Sequence, residues 1–269
     1  MASKVMKLRL LSDMEERELL LDSVTIRHKA DIASAARVLA RVAKDRGMRV
    51  MMRHDISSQE PMADSEGRDL NSSEFGWTQD GNELWSHASH TFKSQIIRAC
   101  RAESEPFWVN RDSFRTRWEN QFLNEIELED FEERTLLRAA IVVPLHMPFG
   151  QIAVAVFTSR DKSRDDLSVE FAHFGPLLAE LTRRFIAGYV SMMRDNPYLP
   201  PLNVLSARAV ECLKWAAFGK TNNEISLILD CSPATIRYHI KTICEKLDSA
   251  NRAQAIFRAG QLGYLGSLN

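Results

Sequence analysis

Residues 194–204, RDNPYLPPLNV, place Pro197, Pro200 and Pro201 within one short stretch. Proline rings this close together remove backbone donors and fix φ, so neither a helix interior nor a central strand can run through them. The stretch reads as an extended spacer. It divides the 269 residues into two regions, each long enough to bury a core of its own: 1–193, and 205–269 beyond the 194–204 linker. The two regions differ in pattern. Strand-like runs occur only before the prolines, and the segment after them is helical throughout.

Within the first region, ADIASAARVLARVAKDRG reads as an amphipathic helix ended by Gly47, and RVMMRHDI follows as a strand. Residues 57–82 are polar and contain Gly67, Gly76 and Gly81, so they read as a long irregular loop. NELWSHASHTFKSQIIRACRAE returns to helix. AAIVVPLHM, a Pro148–Gly150 turn and QIAVAVFTS read as a β-hairpin of buried strands, and residues 167–194 close the region as a helix. ELEDFEER, residues 127–134, reads as a solvated acidic helix face. This order of elements predicts an α-β-α sandwich with an antiparallel sheet and helices on both faces.

The second region predicts four helices. SARAVECLKWAAFG is capped by Ser206 and stopped by Gly219, TNNEISLILD is the second, and NRAQAIFRAGQLGYL is the last. Between them, CSPATIRYHIKTICEKL has Ser232 as N-cap and Pro233 at the first helical position. Ile236, Ile240, Ile243 and Leu247 form one apolar stripe, while Arg237, Tyr238 and Lys241 lie on the other side. Helix, short turn, helix is the geometry that places a second helix in the DNA major groove by its N-terminal half. The isoleucines would then pack on the other helices, with the arginine and lysine reaching guanine or phosphate. The helix N-terminus with Ser232 and Thr235 suits a phosphate, and Lys220, Thr221 and Asn222 of the GKTN turn offer backbone contacts. His239 is read equally as a phosphate donor or as a packed side chain.

Charge agrees with a local, not a global, anion-binding surface. The chain carries a net −1, but from Leu205 onward eight Lys/Arg face five Asp/Glu, a surplus of three. Hydrophobic residues at 45% and charged residues at 26% are ordinary for a soluble globular protein. The apolar run near the N-terminus is broken by Lys7 and Arg9, against a signal peptide, and IVVPL and IAVAVF are too short to span a bilayer. A cytoplasmic location without membrane attachment is expected. Cys100, Cys212, Cys231 and Cys244 contain no CxxC pair and read as small buried thiols. No GxSxG, HExxH, Walker or dinucleotide motif occurs, so no enzyme is expected.

LSARAVECLKWAAFGKTNNEISLILDCSPATIRYHIKTICEKLDSANRAQAI resembles the C-terminal DNA-binding domain of LuxR-type transcription regulators. The resemblance implies that Arg237 and Lys241 read DNA and that the last helix pairs two subunits. Ala253, Ile256, Phe257 and Gly260 give that helix an apolar edge with small residues, which identifies it as a dimer seam. Residues 167–194, with Phe171, Phe174, Leu178, Leu181 and Phe185, offer a second. Ala209 departs from the family, which usually has glutamate there, at a position associated with domain packing. Implied partners are double-stranded DNA with a pseudo-palindromic operator, a second copy or a similar regulator, and RNA polymerase.

The first region lacks the opening strand and acidic pair of a phosphoacceptor receiver. AAIVVPLHMPFGQIAVAVFTS is similar to the central hairpin of the autoinducer-binding domain of quorum-sensing regulators, and SEPFWVNRDSFRTRW to a segment lining its pocket. That resemblance puts Glu105-Pro106 at an Asp-Pro position, Trp118 at a pocket tryptophan, Phe92 and Ile96 at a tryptophan and a tyrosine, and Ala140 at a glycine. Phe92 and Ile96 lack the donors that hold an acyl-homoserine lactone's carbonyls, while Glu105 can accept its amide N–H. The aromatics Trp77, Trp85, Phe92, Phe107, Trp108, Phe114 and Trp118 form either ordinary core or a lined pocket. The ligand candidates are therefore Phe92, Ile96, Glu105, Trp108 and Trp118. The alternative is a ligand-independent domain that serves dimerisation or protein binding. Glu83, His87 and His90 share a helix face, but no clear fourth ligand follows, and neither metal nor cofactor is expected beyond a small signal molecule.

Overall fold

The computed structural model describes residues 15–58, 60–77, 94–193 and 205–266. Backbone proximity divides the chain into two compact units, Met1–Met147 with Gln151–Arg194, and Pro148–Gly150 with Asp195–Asn269. Residues 194–204, expected as the linker, lie outside the described residues.

The first unit is built on an antiparallel sheet of five strands: β1 (Met48–Arg53), β2 (Phe107–Asn110), β3 (Phe114–Arg115), β4 (Ala139–His146) and β5 (Ile152–Ser159), in the order β1-β5-β4-β2-β3. Alternation along the strands separates two cores. Val50, Met52, Trp108, Ile141, Val143, Ala155 and Phe157 face one side, where helices α1 (Ile32–Asp45) and α3 (Ser168–Met193) cover them with Leu39, Leu178, Leu181 and Phe185. Met51, Phe107, Val109, Ala140, Val142, Val154 and Val156 face the other. There α2 (Gln95–Ala102) and two short helices, Gln121–Asn124 and Phe131–Thr135, supply Ile96, Ile97, Leu123 and Phe131. The strands are apolar on both faces because both are covered, and the expected sandwich is what forms.

Three local expectations need correction. The predicted helix from residue 82 to 103 does not run through Ser94, whose ψ of 128° is extended; α2 starts only at Gln95. The stretch 57–82 is more than an irregular loop. It contains a one-turn helix, Leu70–Ser73, and it closes the open edge of β1. The buried Asn71 amide accepts from Met52 N and donates to Met52 O, both at 3.0 Å, and Trp77 Nε1 donates to Val50 O at 2.6 Å. Side chains here supply the partners that a sixth strand would have supplied. The acidic run ELEDFEER is helical only over Phe131–Thr135, and Phe131 is fully buried.

The second unit is all helical: α4 (Ala207–Ala217), α5 (Asn222–Ile228), α6 (Pro233–Lys246) and α7 (Arg252–Gln261). Each starts at a side-chain cap, Ser206, Thr221, Ser232 and Asn251, whose oxygen accepts the N–H three residues on. Each is followed by a left-handed residue, Gly219, Asp230, Asp248 and Gly263. Helix α6 spans two small cores. Ile236 packs with Cys212, Ala216 and Ile225, while Ile243 and Leu247 pack with Leu205, Ala209, Leu213, Ala255 and Ala259. No helix among the described residues is long and apolar enough to cross a membrane.

Candidate nucleic-acid interface

The start of α6 is stiffly held. Ser232 Oγ accepts from Thr235 N at 3.1 Å and lies 2.9 Å from the Thr235 hydroxyl, so both hydroxyls expected to meet a phosphate are organised around the first turn. Pro233 presets the backbone at the first helical position. Burial of Ile236 and Ile243 fixes the rotation of the helix and turns Arg237, Tyr238 and Lys241 outward. Tyr238 is 66% exposed. Arg237 is exposed and forms no ion pair among the described residues, whereas Lys241 leans 3.8 Å from Glu245 on its own helix. His239 is half-buried, its ring 5.7 Å from that of Tyr238.

The GKTN turn is equally ordered. Thr221 and Glu224 form a complete capping box: Thr221 N donates to Glu224 Oε2 at 2.8 Å, and Glu224 N donates to Thr221 Oγ1 at 3.3 Å. The Thr221 amide, then its hydroxyl, hold the Glu224 carboxyl below the usual range. Lys220 Nζ lies 3.6 Å from Glu224. Arg252 of α7 reaches back and donates to Ala216 O at 3.2 Å, to Lys220 O, and to Asn222 Oδ1 at 3.3 Å. This clamp was not anticipated, and only the proximity of α7 to the turn reveals it. The α4 cap lacks the reciprocal half of a box, because its third position is Ala209, a buried methyl where a carboxylate would close it.

The family of bacterial regulatory proteins described as luxR matches residues 203–259. The C-terminal domain is a luxR-family domain. Similarity also reaches beyond it. The transcriptional activator protein VanR of Vibrio anguillarum is 34% identical over 129 residues, 48% of this chain and 52% of that protein. The HTH-type quorum sensing-dependent transcriptional regulator VjbR of Brucella ovis is 33% identical over 138 residues, 51% of this chain and 52% of its own. The chain thus spans about half the length of these curated relatives, and neither alignment fits within the luxR-family domain alone. The solved structure of Escherichia coli SdiA aligns with 94% of this chain and 99% of its own at 17% identity, with a TM-score of 0.47.

The four residues expected to form a dimer seam divide. Ala253, Phe257 and Gly260 are exposed on α7, with Phe257 at 64%, whereas Ile256 is half-buried against both cores of the domain. On α3 the proposed second seam is largely internal, since Leu178, Leu181 and Phe185 are buried on the sheet and Phe171 and Phe174 pack partly against the same core.

The ligand candidates of the N-terminal unit do not come together as one pocket. Ile96 is buried on one side of the sheet and Trp108 on the other. Glu105 is exposed, and Trp118 is 69% exposed with the Arg117 guanidinium 5.4 Å above its ring. Phe92, Trp85 and the Glu83, His87, His90 face lie outside the described residues. Of the aromatic cluster, Phe107 packs against Phe114 and Trp77 covers the β1 edge, which are core roles.

Proposed function

We propose that this chain is a DNA-binding transcription regulator of LuxR type, acting as a dimer on a pseudo-palindromic site and controlled by a small molecule taken up in its N-terminal unit. The observation that carries the DNA half is the outward face of α6, where Arg237, Tyr238 and Lys241 stand on a helix fixed by buried Ile236 and Ile243. The names of VanR and VjbR, a transcriptional activator and a quorum sensing-dependent regulator, support the regulatory half. A second copy or a similar regulator, and RNA polymerase, are the protein partners of this reading.

The test is selection of binding sites from random duplexes by the full-length protein, followed by gel-shift titration at two salt concentrations. The expected site has half-sites about 34–36 Å apart. Arg237→Ala should lose about 1–3 kcal/mol on that site and relax one base position. Lys220→Ala should weaken all sequences alike and lower the salt slope by about one. Equal binding by Arg237→Ala and wild type across operator variants would sink the assignment.

A second reading makes the N-terminal unit a ligand-independent dimerisation or partner-binding domain. The scattering of Ile96, Glu105, Trp108 and Trp118 favours it. Native mass spectrometry separates the two: a stoichiometric co-purified small molecule supports the sensor, and a ligand-free protein at full DNA affinity supports the alternative.

A further inference from the structure

We propose that Cys212 and Cys231 are a thiol pair that hydrogen peroxide converts into a disulfide within one chain, displacing the start of α6. The two sulfurs come from different elements and meet in one small core. Cys212 lies on α4, fully buried with Ala216, Ile225 and Ile236, and Cys231, half-buried in the turn before α6, packs against that cluster. The other two cysteines are placed elsewhere: Cys244 packs in the second core of this unit, and Cys100 lies in the first unit. Arg208, four residues before Cys212 on α4, donates to Leu229 O, two residues before Cys231. Besides its 2.9 Å bond to Glu211, its guanidinium acts on both sulfurs, by charge on Cys212 and by charge and a hydrogen bond on Cys231.

The pair is asymmetric, and the asymmetry sets the order of steps. Burial pushes the Cys212 thiol up; Arg208 pulls against that rise and Cys231 adds to it. A thiol reacts through its anion, so Cys212 is a poor first nucleophile, and the more open Cys231 meets the oxidant. The Cys231 sulfur attacks one peroxide oxygen, the O–O bond breaks, and water leaves behind a sulfenic acid. The Cys212 sulfur then attacks the Cys231 sulfur. The S–O bond breaks, and the departing oxygen takes the Cys212 proton to leave as a second water. Two thiols thus lose two protons and two electrons, and one hydrogen peroxide becomes two waters. Helix α4 is held by both small cores, whereas Cys231 lies in a turn, beside the left-handed Asp230, tied back by its N–H to Ser226 O at 3.0 Å. Forming the bond therefore moves the turn, and with it the Ser232 cap and the first turn of α6. The consequence for DNA rests on the reading of α6 as the DNA-facing helix; formation of the bond does not.

The experiment treats reduced full-length protein with hydrogen peroxide, blocks the remaining thiols with iodoacetamide and digests with trypsin. Cleavage after Arg208, Lys214, Lys220 and Arg237 leaves the two cysteines on separate peptides, 209–214 and 221–237, which only the bond joins. The joined pair should form in wild type and in Cys244→Ser. On the duplex recovered by site selection, oxidised wild type should bind about tenfold more weakly than reduced, and dithiothreitol should restore it. Cys231→Ser and Cys212→Ala should bind alike before and after peroxide. Where loss of core volume unfolds Cys212→Ala, the half-buried Cys231→Ser decides alone. Absence of the joined peptides, equal binding by oxidised and reduced wild type, or a loss in Cys231→Ser equal to that of wild type would assign both thiols to packing and overturn the proposal. Failure of reduced wild type to bind any duplex would defeat the DNA-binding reading instead, while the peptide map still decides the bond.

Discussion

Guanidinium groups close three helix ends in the C-terminal domain. Arg208 donates to Leu229 O at the end of α5, and Arg252 to Ala216 O and Lys220 O at the end of α4. Arg258 donates to Leu247 O at 2.6 Å and to Asp248 O after α6. Unpaired carbonyls and the negative end of the helix dipole make each site favourable for a cation. Three of the eight cations counted in this region are therefore structural, and the DNA-facing surplus is narrower than the sequence implies. Of the three, Arg252 is the one whose fork holds the GKTN turn. Lysine cannot reproduce three donors in a plane. Arg252→Lys should lower the stability of this domain by about 2 kcal/mol and weaken DNA binding for all sequences alike, without shifting base preference. Urea titration and gel shifts on operator variants measure the two effects; an unchanged urea midpoint would show that the clamp holds nothing.

At the scale of the element, α7 has two faces with different work. Ala255 and Ala259 are buried, Ile256 is half-buried in the domain's own core, and Phe257 stands clear of it. A charge at Ile256 therefore damages the fold first, and loss of DNA binding in such a variant would say little about assembly. Phe257→Glu is the informative change. It should leave the helical circular dichroism signal intact, shift sedimentation from dimer toward monomer, and weaken operator binding by at least tenfold, since a charge in a paired apolar seam penalises only the dimer. A Phe257→Glu protein that sediments as wild type would remove α7 from the interface. The long α3 is a poorer seam, because Leu178, Leu181 and Phe185 are already covered by the sheet.

The chain divides into two units, each with buried clusters of its own, so heating or acid is expected to act on each separately. His54 lies in the first unit. Its Nδ1 is buried without a partner, its ring sits 5.8 Å from that of Tyr189, and burial holds its pKa below the ordinary histidine value. The sign follows directly. With the folded value lowered, the unfolded chain takes up a proton that the folded chain refuses. The contribution is full above the unfolded value of about 6.5 and is lost as the pH falls through the folded one. The melting transition of the N-terminal unit should fall between pH 7.5 and 5.5 more steeply in wild type than in His54→Gln, with the transition of the C-terminal unit indifferent to the substitution. Parallel pH profiles for the two proteins in calorimetry would exclude His54 as the source.

Periodicity alone determined much of this. The isoleucine stripe of α6, the caps at Ser206 and Ser232, and the β4–β5 hairpin are local patterns, and local rules suffice to read them. The outward set Arg237, Tyr238 and Lys241 follows from the same period, since burial of one helix face dictates the other. Three features required the folded chain. Arg252 and Arg258 look like ordinary surface cations until the ends of α4 and α6 are seen beside them. Asn71 and Trp77 read as loop residues because nothing local announces that β1 is an edge strand needing partners. Ile96 and Trp108 read as one pocket, yet the sheet passes between them. Helix faces and caps depend on neighbours a few residues away, whereas hydrogen-bond satisfaction and sheet sidedness depend on partners tens of residues distant. Only tertiary structure brings those together.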